Sequence, residues 1–308
     1  MKLVERHIIK SNHRFYKKID RLCWQSKNLY NYANYLIGQS FILEGIYHSY
    51  PEIEKKVQRS EPYQAITAKV SQQILIVLDR NWRSFLATNQ VDREQPEKFK
   101  GRPKLPKYKK KETGRNLLIY TEQAISKIQL KQGIIHPSQT DIYLKTRVDT
   151  DNIKQVRIVP RLNYYVIEVI YETELLQYEL EENPMASIDI GLNNLATLSF
   201  NQFAGLKPLL INGRPLKSLN QYYNKARASL QSILPENQSS KKLKKLCNKR
   251  ELKINDYLHK AWRFIINHLI NEKIGTLVIG ENQEWKQEIN LGKKNNQNFV
   301  QIPHNKLI

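Results

Sequence analysis

The sequence is poor in cysteine, in long apolar runs and in acid. Only Cys23 and Cys247 occur in 308 residues, which excludes a disulfide framework and any four-cysteine zinc ribbon within these residues. No apolar run approaches the roughly 20 residues that cross a bilayer, and the basic residues are spread along the chain, so a membrane is not an expected partner. The opening Met1-Lys2-Leu3-Val4-Glu5-Arg6 has no apolar signal core, and the expected location is the cytoplasm, in association with the nucleoid. Acid is outnumbered: 29 Asp and Glu stand against 50 Lys and Arg, a formal charge of +21. A chain this cationic calls for a polyanion, and nucleic acid is the expected partner. Oligomeric state is not readable.

What is present changes texture along the chain. Residues 1–10 alternate as one strand. From Ser11 to Glu44, Phe15, Ile19, Leu22, Leu29, Tyr32, Ala33 and Leu36 recur at helical intervals, and a second amphipathic helix is expected from Tyr63 to Ala87, through Val70, Ile74, Leu78 and Trp82. Trp24, Trp82 and Phe85 read as core residues. Between about Leu117 and Tyr171, short β-branched runs at Leu117–Tyr120, Ile128–Leu130, Gly133–Ile135, Ile142–Leu144, Gln155–Val159 and Tyr164–Ile170 suggest a small β-barrel, with at most one of Tyr164 and Tyr165 facing inward.

Between the helices and these strands lies the most basic stretch. Lys98, Lys100, Arg102, Lys104, Lys107, Lys109, Lys110 and Lys111 are interleaved with Phe99, Tyr108, Gly101, Pro103 and Pro106. Two prolines prevent a helix. An extended segment of this kind lays ammonium groups along phosphates and offers Tyr108 for base stacking.

After an acidic connector, Ser187-Ile188-Asp189-Ile190-Gly191-Leu192 sets one acid inside an apolar strand that turns at Gly191 and Asn193-Asn194 into a second strand, Leu195–Phe200. A third strand near Leu209–Ile211, helices over Leu219–Leu234 and Ser240–Lys273, and a strand Thr276–Ile279 follow. A carboxylate inside an apolar strand is costly to bury without a cation, which makes Asp189 a candidate metal ligand. Three strands, a helical crossover and a fourth strand ending near Glu281 is the layout of an RNase H-like core. There the first and fourth strands run side by side, bringing Asp189 and Glu281 together as a catalytic, metal-binding pair for Mg²⁺, with Mn²⁺ as a substitute. His259, on the long helix, reads as a packed or capping side chain. The Lys241–Arg250 run reads equally as a phosphate track and as a solvated helix face.

Four motifs in order, Lys69-Val70-Ser71-Gln72-Gln73 with Leu78-Asp79-Arg80-Asn81-Trp82, Gly101-Arg102-Pro103-Lys104-Leu105-Pro106-Lys107-Tyr108-Lys109, Ile188-Asp189-Ile190-Gly191-Leu192, and Asn255-Asp256-Tyr257-Leu258-His259-Lys260-Ala261, give the chain a resemblance over nearly its whole length. It resembles the TnpB (OrfB-type) transposon-encoded RNA-guided endonucleases. The resemblance implies an α+β multidomain fold: a barrel from 1–10 and 96–180, a helical recognition insertion at 11–95, and an incomplete RuvC-like domain at 181–308. It implies guide RNA and DNA as partners, base pairing as the source of specificity, and Asp189 as the first RuvC acid. Two departures stand out. The chain reads Val278-Ile279-Gly280-Glu281, with Gly280 where the family places its second acid and Glu281 one step late; Glu284 and Glu288 are the fallback acids. It also ends at Ile308, before the family's zinc ribbon and third catalytic aspartate, so the expectation is an impaired nuclease. The other functions in view are a non-cleaving guide-RNA and DNA-binding remnant or regulator, and a strand-transfer transposase with an RNase H-like core.

Overall fold

The computed structural model describes residues 1–201, 205–235, 238–280, 292 and 301–306. The chain divides into two compact units, Met1–Leu175 and Leu176–Ile308.

The first unit opens with strand β1 (Lys2–Ile9) and helix α1 (Tyr16–Glu44). Ile19, Cys23, Ser26, Tyr30, Ala33 and Ile37, spaced three and four apart, form the buried stripe of α1, which stops at Gly45 with φ 72°. It starts five residues later than the periodicity suggests, because the His13 ring accepts the Phe15 N–H and fixes a turn first. Helices α2 (Tyr50–Val57), α3 (Glu61–Gln64) and α4 (Ala68–Glu94) follow. A Ser49/Glu52 capping box starts α2. The single helix expected from Tyr63 is two, with Tyr63 on α3 and a fresh start after Thr67.

Next come β2 (Leu118–Thr121), the one-turn helix α5 (Lys127–Leu130), β3 (Ile134–Ile135), β4 (Leu144–Lys145), β5 (Ile153–Pro160) and β6 (Tyr165–Glu172). The run Ile128–Leu130, expected as a strand, is helical because the Ser126 hydroxyl caps it, accepting the Gln129 N–H. The main sheet has the antiparallel order β1-β6-β5-β2, and β3 pairs only with β4. Among the described residues β1 and β2 are free edges, so the sheet is open and no barrel closes. The face a barrel would enclose is filled by helices: Ile19, Leu29, Leu78 and Trp82 share one core with Leu118, Tyr120, Ile158 and Ile167.

Central strand β6 is buried on both faces, which corrects the expectation that only one of Tyr164 and Tyr165 faces inward; both are buried. Tyr165 donates to Asp20 Oδ1 on α1. On the other face, buried Glu168 lies between Arg6 of β1 (3.6 Å) and Arg157 of β5 (2.9 Å), its direct neighbours in the register.

The second unit contains β7 (Glu181–Ile190), β8 (Asn194–Phe200), β9 (Leu209–Asn212), α6 (Arg214–Ser232), α7 (Lys241–Asn271) and β10 (Ile274–Ile279). Its sheet order is β10-β7-β8-β9, with β10 parallel to β7 and the other pairs antiparallel. Parallel neighbours need a long crossover, which α6 and α7 supply. Ile254, Leu258, Ala261, Ile265 and Leu269 form one stripe of α7 and share a core with Ala186, Ile188 and Leu198 of the sheet. No helix among the described residues is long and apolar enough to cross a membrane.

Candidate nucleic-acid interface and metal-binding acid

After a 3-10 turn at Pro96–Lys98, the basic stretch of the first unit has no regular structure of its own through Asn116. It is held by side chains of α1. Asn34 Nδ2 donates to the Pro106 carbonyl (3.0 Å), Asn31 Nδ2 donates to the Lys109 carbonyl (2.8 Å), and Asn31 Oδ1 accepts the Lys109 N–H (2.9 Å). Lys27 Nζ donates to the Lys111 carbonyl at 2.7 Å. A primary amide has the donor and acceptor of a peptide group, so Asn31 grips Lys109 as a neighbouring strand would. Asn34 is buried, and its Oδ1 accepts from Trp82 Nε1 at 2.8 Å, which ties the strap to α4 as well. Burial, helped by the nearby Arg115 and Lys111 cations, holds the Lys27 ammonium below the ordinary lysine range.

With its main chain tied down, the strap presents its side chains. Lys98, Lys100, Arg102, Lys104, Lys107, Tyr108, Lys110 and Lys111 are exposed, and Lys109 is half-buried with its Nζ 5.1 Å from the Tyr30 ring centre. Sequence reasoning identified these cations and missed the residues that hold them. A signal was there: Lys27, Asn31 and Asn34, four and three apart, are polar positions on one face of a helix whose neighbouring stripe is apolar. Trp24, expected in the core, is 41% exposed, and Lys27 Nζ lies 4.9 Å from its ring centre. His259 is exposed on α7, neither packed nor capping. Of the Lys241–Arg250 run, Arg250 is half-buried. It donates to Asn220 Oδ1 (2.7 Å) and to the Gln301 carbonyl (2.8 Å), a structural role within the second unit.

Asp189 lies one residue before the end of β7. Strand alternation buries Ala186 and Ile188 and leaves Ser187 and Asp189 exposed, which corrects the expectation of a buried carboxylate: the opposite face of the strand meets the core. Asp189 is opposite Thr197 on β8. The turn that follows requires glycine, since a Cβ on Gly191 would come 2.7 Å from the Asn194 carbonyl. His304 Nε2 is 3.1 Å from the Gly191 carbonyl oxygen. On the other side, parallel pairing with β10 runs to Ile188 opposite Ile279. One more step in that register sets Gly280, not Glu281, beside Asp189.

Glu281, Glu284 and Glu288 lie outside the described residues. Among the described residues no three His, Cys, Asp or Glu side chains gather as a metal cage. Magnesium takes roughly six oxygen ligands in near-octahedral order. Asp189 fits as one such ligand, and the described residues do not by themselves make a magnesium site.

No curated protein matches the sequence. Among the solved structures that resemble the chain are two at 13% identity. One, "Cryo-EM structure of the Cas12f1-sgRNA-target DNA complex", has a TM-score of 0.49 and covers 87% of this chain, which spans 66% of that one. The other, "Cryo-EM structure of CRISPR-Cas12f Ternary Complex", has a TM-score of 0.32 and covers 95% of this chain and 69% of that one. Residues 165–286, which carry β6, the whole sheet of the second unit and Asp189, match the family OrfB_IS605, described as "Probable transposase". The match covers that segment, less than half of the chain, and over it the sequence is similar to the OrfB_IS605 family.

Proposed function

We propose that the chain is a transposon-associated, TnpB-like protein that binds a guide RNA and DNA, and that its second unit is a RuvC-type nuclease of RNase H-like build. The observation that carries this reading is Asp189. It is an exposed carboxylate at the end of a strand with a parallel neighbour, inside the family-matched segment. In this reading Asp189 is the first catalytic and metal-binding acid and Glu281 the second, with Mg²⁺ or Mn²⁺ as the ion. The metal's contribution when bound is to sharpen a water for attack on the phosphodiester and to stabilise the leaving oxygen. The chain's own contribution is placement: β7 holds the acid's backbone and the Gly191 turn leaves its side chain open. Residues 1–10 and 96–180, which include the sheet of the first unit, and the helices at 11–95 serve as the nucleic-acid-binding part, with the strap as their principal contact.

The test uses the full chain with the guide RNA of its element, a labelled target duplex and Mg²⁺. Metal-dependent cutting that disappears in Asp189→Ala supports the nuclease reading. Tight guide and target binding without cutting favours a second reading, a non-cleaving binding module, for which the independently built strap of the first unit speaks. Strand joining in place of hydrolysis favours a strand-transfer transposase.

A further inference from the structure

Opposite the strap, α4 presents Asn81, Ser84 and Thr88, three and four residues apart and therefore on one face of the helix. Between this face and Lys104, Lys107 and Lys109 of the strap lies an open cleft of about 400 Å³. No acid lines it. The acid of this part of α4, Asp79, is turned away, accepting from Tyr47 Oη (2.6 Å) and the Tyr50 N–H (2.8 Å). Asn81 and Ser84 are exposed; one Asn81 amide hydrogen goes to Tyr30 Oη (3.3 Å) and the Thr88 hydroxyl to the Ser84 carbonyl (2.7 Å), which leaves the second Asn81 amide hydrogen and the Ser84 hydroxyl as donors beside the ammonium groups.

We infer that this cleft seats the sugar-phosphate backbone of a single-stranded nucleic acid, a specificity that goes beyond the general nucleic-acid binding proposed above and rests on it. Charge selects a polyanion, and the hydrogen-bonding wall on α4 suits a phosphodiester whose remaining oxygens need partners. Size favours the single strand: about 400 Å³ is on the scale of one nucleotide, which suits an unpaired backbone more than a rigid duplex. The wall is built before the ligand arrives. Asn31 and Asn34 fix the backbone at Lys109 and Pro106, so the cationic side does not have to be ordered on binding.

The experiment measures anisotropy of labelled oligonucleotides of roughly ten nucleotides, single-stranded RNA, single-stranded DNA and the matching duplexes, with the full chain over a salt series. Ser84→Asp, an exposed substitution within the cleft, is expected to weaken single-strand binding about tenfold and to change duplex binding less than about twofold. Asn31→Ala is expected to weaken single-strand binding several-fold without altering the slope of log K against log salt, since every cation remains. It should also expose the strap to trypsin at Lys107 and Lys109. RNA and DNA arms tell a guide from a DNA strand, and single-strand preference on either supports the cleft. Unchanged single-strand binding in Ser84→Asp, or equal weakening of both forms, overturns it. Lys100→Glu with Arg102→Glu, outside the cleft, separates the two levels. If this pair weakens binding while Ser84→Asp does not, the cleft fails and the broader reading stands. If neither changes binding, both fail.

Discussion

Asp20, Asp79 and Glu168 of the first unit and Asp189 of the second are carboxylates treated in opposite ways. In the first, Asp20 takes the Arg115 guanidinium in a two-pronged contact (2.8 and 2.9 Å) as well as the Tyr165 hydroxyl. Asp79 takes a tyrosine, a backbone N–H and Arg83 at 2.8 Å, and Glu168 bridges two arginines on neighbouring strands. In the second unit Asp189 stands exposed, with no hydrogen bond or ion pair to its carboxylate among the described residues. An acid whose lone pairs are occupied by its own chain is part of the framework. One left open at the end of a strand has them available to a ligand. The strap shows the same division in cations: Lys27 is consumed in holding the main chain, and the lysines it helps to hold remain free.

The sharpest way to break this comparison is to remove a framework acid. Glu168→Ala leaves Arg6 and Arg157 facing each other across β6, and the expected loss is about 3 kcal/mol, at the low end for a broken buried pair because both arginines reach solvent. Urea unfolding of the first unit measures it. A loss under about 1 kcal/mol would mean that the ladder is ornamental and that pairing does not mark structural acids here.

A smaller effect concerns acid pH. Hydrogen bonding from Arg115 holds the Asp20 carboxyl below the ordinary aspartate range. The unfolded chain, with an aspartate pKa of about 4, therefore takes up the proton first as pH falls. The stabilisation is fully present above that value and is lost as pH drops through the lowered folded-state pKa. Asp20→Asn should flatten this acid limb of the melting temperature between roughly pH 5 and 2, while leaving the profile above pH 6 parallel to that of the parent.

Much of the second unit was legible in the sequence, because alternating strands, a glycine turn and two long helices are local patterns. The pairing of β7 with β10 followed from the crossover rule alone. The side of β7 on which Asp189 lies was misread for a physical reason: apolar Ile188 and Ile190 flank it in sequence, but alternation sends them to the other face, and flanking residues report a strand's core face, not the environment of the residue between them. In the first unit the sequence showed strands but not whether they close. Barrel closure depends on what fills the enclosed face, and here that is Leu78 and Trp82 of a helix distant in sequence. The basic strap was legible as charge. Its fixed geometry was not: the spacing of Lys27, Asn31 and Asn34 marks a polar helix face, but which backbone that face holds is decided only when the chain is folded.

The smallest predicted effect is the most discriminating. Asp189→Asn keeps the side chain's size, sits on an exposed strand position and breaks no contact among the described residues, so its cost to stability should be within about 0.5 kcal/mol. Asparagine cannot supply the negative charge a divalent cation requires, so any metal-dependent cleavage should disappear in the same variant whose urea midpoint is unchanged. That dissociation is what an acid reserved for a ligand must show. If the substitution instead costs 2 kcal/mol or more, as at Glu168, then Asp189 belongs to the framework after all. The division between paired and open acids would then no longer identify the site.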